Sequence, residues 1–242
     1  ERFNNLYQTV VQLGKFSIDG KFIVEEDNLT EVDAGFDYYA PQSFQAEDGR
    51  ILQYGWMGIP EGKEGLIPTI QDGWIHALTI PREVSIQNGK YLQKPARELW
   101  NLTTNLQKVQ WNATRFESVF SSPAQVWTVN WKEAVQDKLA IQLRNEIFIQ
   151  YDPETQVLSV SRTDWETGEK ETRERTLQSP LKQLNAWMDY SSLELFVNKG
   201  EEVFTLRFFT EEEALDFVVQ QTVEQEMAIE VWDVRTGAFI SE

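Results

Sequence analysis

Two short segments concentrate the side chains of this sequence that are able to do chemistry. Asp33-Ala34-Gly35-Phe36-Asp37-Tyr38-Tyr39-Ala40-Pro41-Gln42 packs two acids, a glycine, two tyrosines and a proline into ten residues, the make-up of a tight loop presenting polar groups at a strand end. Gly55-Trp56-Met57-Gly58 closes an apolar run and leads into a Gly/Pro-rich loop, Ile59 to Gln71, of the kind that lines a pocket. Carboxylates, hydroxyls and aromatic faces are the chemistry of sugar handling. Paired Asp/Glu groups held ~5 to 10 Å apart cleave a glycosidic bond, and exposed Trp or Tyr faces stack on sugar rings while carboxylates accept hydroxyl hydrogen bonds. As bare patterns, Asp33 and Asp37 read more simply as turn residues, and any one of the 9 Trp, 7 Tyr and 14 Phe reads more simply as core.

Composition removes most other chemistries. With no cysteine, disulfides, zinc-thiolate sites, iron-sulfur clusters and thiol nucleophiles are excluded, and a single histidine, His76, excludes multi-His metal centres. No cofactor is indicated. His76 lies in the strand-like Trp74-Ile75-His76-Ala77-Leu78-Thr79-Ile80 without a Ser-His-Asp setting, which favours a structural, hydrogen-bonded histidine over a general base. The net charge of −17, spread along the chain, makes nucleic acid and anionic membranes poor partners. No run approaches the ~18 to 20 uncharged residues of a membrane span, and Glu1-Arg2-Phe3-Asn4-Asn5 lacks signal-peptide order, so a soluble chain is expected. Three Asn-x-Ser/Thr sequons, at Asn28, Asn101 and Asn112, are read as chance.

The elements that must position these residues are strands. Asp19-Gly20 between Phe16-Ser17-Ile18 and Phe22-Ile23-Val24, and Asn88-Gly89 between Val84-Ser85-Ile86 and Tyr91-Leu92, are hairpin signals, because their central residues tolerate positive φ. Asp48-Gly49 precedes the run Ile51 to Met57. Further strands are expected at Ile147 to Tyr151, Val157 to Val160, Leu193 to Val197, Val203 to Phe209 and Met227 to Val234, with Thr163 to Arg175 an exposed hairpin tip. The spacing means antiparallel sheet. Helix is scarce, with one candidate short helix after Thr210 at Glu211 to Phe217. A boundary is expected near residues 95 to 110, dividing a Gly/Pro/Trp-rich part, 1–100, from a plainly alternating part, 101–242, that suits a β-sandwich.

The collinear order of these motifs carries a resemblance. Asp33 to Gln42, Asp48-Gly49-Arg50-Ile51, Gly55-Trp56-Met57-Gly58, Gly73-Trp74, Leu78-Thr79-Ile80-Pro81-Arg82-Glu83 and Leu92-Gln93-Lys94-Pro95, then Asp189 to Gly200 with Val203-Phe204-Thr205-Leu206-Arg207, together resemble glycoside hydrolase family 32, in its bacterial invertase-like branch. The resemblance implies an all-β protein, the last blades of a five-bladed β-propeller (1–100) followed by a C-terminal β-sandwich (101–242). It implies a cytoplasmic enzyme with a retaining mechanism on the terminal β-fructofuranoside of sucrose or sucrose 6-phosphate. The family's catalytic Asn-Asp-Pro-Asn-Gly, Arg-Asp-Pro and Glu-Cys motifs are not in this sequence, whose one Asp-Pro is Asp152-Pro153 after Tyr151. The expectation is therefore of a chain without catalytic residues, inactive alone, whose partner is the N-terminal half of the same polypeptide. Its exposed blade edges would suit a second copy. Asp37 is expected to bond a sugar hydroxyl, Tyr39 and Trp56 to form walls, and Asp33 to be a further substrate-binding residue. Tyr38 and Ala34 depart from the residues usual in the family. The other reading is an autonomous carbohydrate-binding or scaffold β-protein.

Overall fold

A computed structural model describes residues 3, 5, 8–25, 29–58, 64–210 and 214–235. Among them the regular structure is antiparallel sheet plus three short 3-10 turns, Glu64–Leu66, Pro68–Asp72 and Arg97–Leu102. In the upstream part, β1 (Val10–Val11) pairs with β4 (Thr30–Glu31), and β2 (Gly14–Phe16) with β3 (Phe22–Val24). A five-stranded sheet follows, made of β5 (Tyr39–Gln45), β6 (Ile51–Met57), β7 (Ala77–Leu78), β8 (Arg82–Gln87) and β9 (Lys90–Pro95), in the order β5-β6-β8-β9 with β7 beside β6. The turn chemistry read from the sequence explains its hairpins. Asn88 and Gly89 sit at φ 51° and 73°, joining β8 to β9 across the pair Gln87 and Lys90.

The downstream part is one ten-stranded sheet, and its long members decide its shape. β10 (Thr103–Val119) runs along the whole of β19 (Asp216–Val234). On the other side of β19, β12 (Leu139–Leu143) pairs with Phe217 to Gln221, while β11 (Gln125–Trp131) pairs with Met227 to Asp233. One leaf therefore continues from β12 through β13 (Ile147–Asp152), β14 (Val157–Thr163) and β15 (Lys170–Thr176). The other continues from β11 through β16 (Gln183–Met188), β17 (Ser192–Val197) and β18 (Glu202–Arg207). Where the leaves part, the ladder is interrupted opposite Ala113 and Arg115. Buried Gln221 occupies the break, donating to the Ala113 and Gln225 carbonyls and accepting from Trp131 Nε1 at 3.2 Å. Backbone groups that lost their ladder partners are thus satisfied by a side chain.

The sheet curls so that both leaves face a single core, with Ile141, Ile149 and Val160 of one leaf packed in the same cluster as Trp127, Leu184, Leu195 and Phe204 of the other. Its two ends meet through side chains. Arg175 on β15 donates to Glu31 Oε2 at 2.8 Å and lies 3.1 Å from Glu202 Oε2 on β18, and Arg162 Nη1 on β14 donates to the Arg207 carbonyl of β18 at 2.5 Å.

Three sequence expectations change. Residues 74–76 are irregular rather than strand, since β7 is two residues long. Within Thr163 to Arg175, residues 170–175 belong to strand β15 and Thr163 to β14, leaving 164–169 as the tip. Residues Asp216 and Phe217, assigned to a short helix, open β19; Glu211 to Glu213 lie outside the described residues. The long β10 carries polar residues at Asn105, Gln107, Lys108, Gln110 and Asn112, which concealed a strand paired along only one edge.

The junction also carries a pH dependence. Burial pushes the Glu202 carboxyl up to about 7; Arg175 opposes the rise, while Glu31, Glu201 and Asp33 reinforce it. A carboxyl whose folded pKa is raised takes up a proton on folding. Its stabilising contribution is full below the ordinary glutamate range and is lost as pH rises through about 7. Thermal unfolding followed from pH 5.5 to 8 is expected to show a falling midpoint, and Glu202→Gln to flatten that slope.

Candidate functional site

The strand period of two gives β17 and β18 two different faces. Leu193, Leu195, Phe204 and Leu206 enter the core, while Glu194, Phe196, Val203, Thr205 and Arg207 face the upstream part, which explains why both strands are buried almost throughout. Onto this outer face and the free edge of β18 the Asp33–Asp37 segment docks. Ala34 N donates to Val203 O, and Phe36 N and Asp37 N donate to Thr205 O, so the segment takes the place of a further strand. The fit requires Gly35, where a Cβ would fall 2.1 Å from the Thr205 carbonyl oxygen.

The carboxylates at both ends of the segment complete this pairing. Asp33 Oδ1 accepts from Gly35 N and Thr205 N, both at 2.9 Å, and its Oδ2 accepts from Thr205 Oγ1 at 2.5 Å and Arg82 Nη1 at 2.9 Å. Asp37 Oδ2 accepts from Arg207 N at 2.7 Å and from Arg162 Nη1. Each residue is 3% exposed. The two aspartates expected at the sugar are therefore engaged by the protein itself.

Arg82, with no exposed surface, is the centre of the larger cluster. Its Nη2 donates to Glu194 Oε2 at 2.6 Å and to Thr205 Oγ1, its Nε to Glu194 Oε2, and its Nη1 to Gln93 Oε1. Glu194 Oε1 also accepts from Ile80 N at 2.6 Å. Burial pushes the Glu194 carboxyl up, and the Arg82 charge opposes the rise.

Tyr39 and Trp56, expected as walls, do come together. They are paired across β5 and β6, with ring centroids 6.5 Å apart. Tyr39 is exposed, and the Tyr39–Gln42 register break with Ala40 at φ 44° interrupts the regular alternation of β5 where it begins. The Trp56 indole lies across Gly58, where a Cβ would meet the ring at 2.0 Å. The sequence reading missed the third member. His76 packs edge-on against Trp56 with centroids 4.9 Å apart, and its Nε2 lies 3.9 Å from Glu64 Oε1. Its buried Nδ1 has no hydrogen-bond partner among the described residues. Because 74–76 do not join the ladder, the ring is held by Trp56 instead. Nearby, exposed Trp74 lies against the Arg207 guanidinium, 5.1 Å from its ring centroid. The signal was the Gly73-Trp74 motif, two residues before His76.

Three aromatic rings with exposed and half-buried faces, backed by a fixed polar layer, can bind a flat apolar face such as that of a sugar ring. The buried cluster around Arg82 joins the upstream and downstream segments. Arg82→Met leaves Asp33 and Glu194 buried without their cation and is expected to cost about 3–5 kcal/mol. Lys132→Met, at an exposed pair with Glu226, is expected to leave stability nearly unchanged, both read by urea unfolding.

Comparison with known proteins bears on the family and the fold. Residues 1–95 match the glycosyl hydrolases family 32 N-terminal domain, and residues 92–233 match the glycosyl hydrolases family 32 C terminal. Sucrose-6-phosphate hydrolase of Staphylococcus xylosus is 34% identical over 229 residues, covering 88% of this chain and 45% of the relative. That of Bacillus subtilis (strain 168) is 27% identical, covering 96% and 48%. The solved structure of sucrose-6-phosphate hydrolase from Lactobacillus gasseri superposes with a TM-score of 0.82 at 20% identity, over 97% of this chain and 49% of that one. The chain spans about half the length of the relatives it matches. With two consecutive models of one family accounting for residues 1–233, the chain belongs to glycosyl hydrolase family 32.

Proposed function

We propose that this chain is the C-terminal portion of a cytoplasmic fructoside hydrolase that cleaves the terminal β-fructofuranoside of sucrose or sucrose 6-phosphate. The observation that carries this reading is the collinear match to both family domains, together with relatives named sucrose-6-phosphate hydrolase at up to 37% identity. In this reading residues 1–100, with the five-stranded sheet, supply the last blades of a five-bladed propeller, and residues 101–242 are the C-terminal sandwich. The retaining reaction uses two carboxylates, a nucleophile and an acid/base. Both belong to the part of the relatives' length that this chain does not span, and the chain alone is inactive. Its own contribution is a wall of the sugar site, in which Tyr39 and Trp56 meet the ring. Asp33 and Asp37 serve the wall from behind through their bonds to Thr205, Arg82, Arg162 and Arg207.

The test compares the 242-residue chain with a polypeptide that extends it by a family 32 N-terminal region, measuring release of reducing sugar from both substrates. The extended protein is expected to hydrolyse at least one of them and the chain alone neither. Hydrolysis by the chain alone, or by neither protein, would sink the reading; sugar binding without hydrolysis by both would favour a carbohydrate-binding module. In the extended protein, Trp56→Ala is expected to raise KM about tenfold, the equivalent of ~1.4 kcal/mol of lost binding.

A further inference from the structure

The aromatic wall belongs to the upstream part, where Tyr39 and Trp56 pair across β5 and β6, yet segments flanking it are also gripped from the downstream sheet. Two of these grips belong to one residue. Arg207 Nη1 donates to the carbonyl of Ile75 at 3.2 Å, the residue before His76. Its backbone N–H donates to Asp37 Oδ2 at 2.7 Å, two residues before Tyr39. The guanidinium is itself anchored, Nε to Ser191 O at 3.1 Å and Nη2 to Ser191 Oγ at 3.2 Å, and it lies between Trp74 and Phe209, 5.1 Å from each ring centroid. Phe209 is closed off in turn by Trp165, edge-on at 4.9 Å. Arg207 is 3% exposed.

We propose that Arg207 is a positioning residue for the wall, fixing from the downstream sheet the pose in which His76, Trp56 and Tyr39 meet a sugar ring. The proposal rests on the reading of that wall as a sugar site. An arginine is required because three separate nitrogens of one planar fork are used at once, on two different segments. A lysine keeps the charge and reaches one acceptor. His76 responds because the segment carrying it, Gly73 to His76, lies outside the ladder, and Ile75 is where the downstream sheet takes hold of it. Trp56 responds through its edge contact with His76, and Tyr39 through its contact with Trp56. The stacking of Trp74 on the guanidinium ties the exposed end of the same segment to the same cation.

The chain's single histidine makes the test direct. In the 242-residue chain, the His76 ring proton signals carry the ring-current displacement of the Trp56 edge contact. In Arg207→Lys they are expected to move toward the positions of a free histidine, while the amide signals of β11 and β16 stay in place. Ser191→Ala, which removes one anchor of the fork and leaves the cation, is expected to shift them part of the way; it also serves if Arg207→Lys does not fold. Unmoved His76 signals in a folded Arg207→Lys or Ser191→Ala chain would overturn the proposal. In the polypeptide extended by the N-terminal region, Arg207→Lys is expected to raise KM for sucrose about tenfold with kcat within twofold. Equal loss in kcat at unchanged KM would also overturn it. Absence of hydrolysis in the unsubstituted extended protein would instead strike the functional reading and leave the His76 result standing.

Discussion

The arrangement depends on one buried guanidinium. Arg82 leaves the upstream sheet at the start of β8 and meets Glu194 and Asp33 with no exposed surface of its own. Moving one cation and two carboxylates out of water is costly, and it is tolerated because Thr205, Gln93, Ile80 N and the amides of Gly35 and Thr205 absorb the remaining donors and acceptors. An ion cluster this fully bonded defines one relative placement of its segments. Apolar contact alone, as among Val126, Trp187, Phe196 and Val203 with Ile80 and Leu99, would tolerate sliding.

From that placement follows the geometry of the outer face. The Asp33–Asp37 segment lies along β18 in strand fashion, and its two aspartates bond the amides of Thr205 and Arg207 that an added strand would otherwise take. The segment also occupies the gap between the two ends of the curled sheet, for Phe36 lies under the guanidinium of Arg162, 4.3 Å away, and of Arg173, 5.5 Å away. Immediately beyond it come Tyr38 and Tyr39. Tyr38 turns inward, its hydroxyl donating to Gln53 Oε1 at 2.7 Å and its ring stacked under Arg82; Tyr39 remains exposed. Two adjacent tyrosines are thus divided between support and surface.

What could be read in the sequence was what is local. Asn88-Gly89 specifies its hairpin because both residues take the positive φ that the turn needs, whereas at Asp19-Gly20 only Gly20 does, in a longer loop closed by Phe16 and Phe22. Alternation located β6, β13, β14 and β17, while Tyr39 and Trp56 stood out as walls only through the family resemblance. What could not be read was non-local or ambiguous. Arg82 and Glu194 are 112 residues apart, and nothing in either neighbourhood states the other. Asp33 and Asp37 look like loop acids because a carboxylate that completes a strand edge and one that meets solvent share the same local sequence. β10 pairs on one edge only, so its polar residues imitate a connector.

The reach of the Asp33–Asp37 segment has a consequence for the order of assembly. Its partners on β18 lie about 170 residues further along the chain. During synthesis the segment emerges long before the edge it needs, and loop closure over that distance is slow compared with local hairpin formation. The docking of Gly35, Asp33 and Asp37 therefore follows the local hairpins, waiting on a strand made about 170 residues after them. The segment that leads into Tyr39 is thus seated only once β18 has formed.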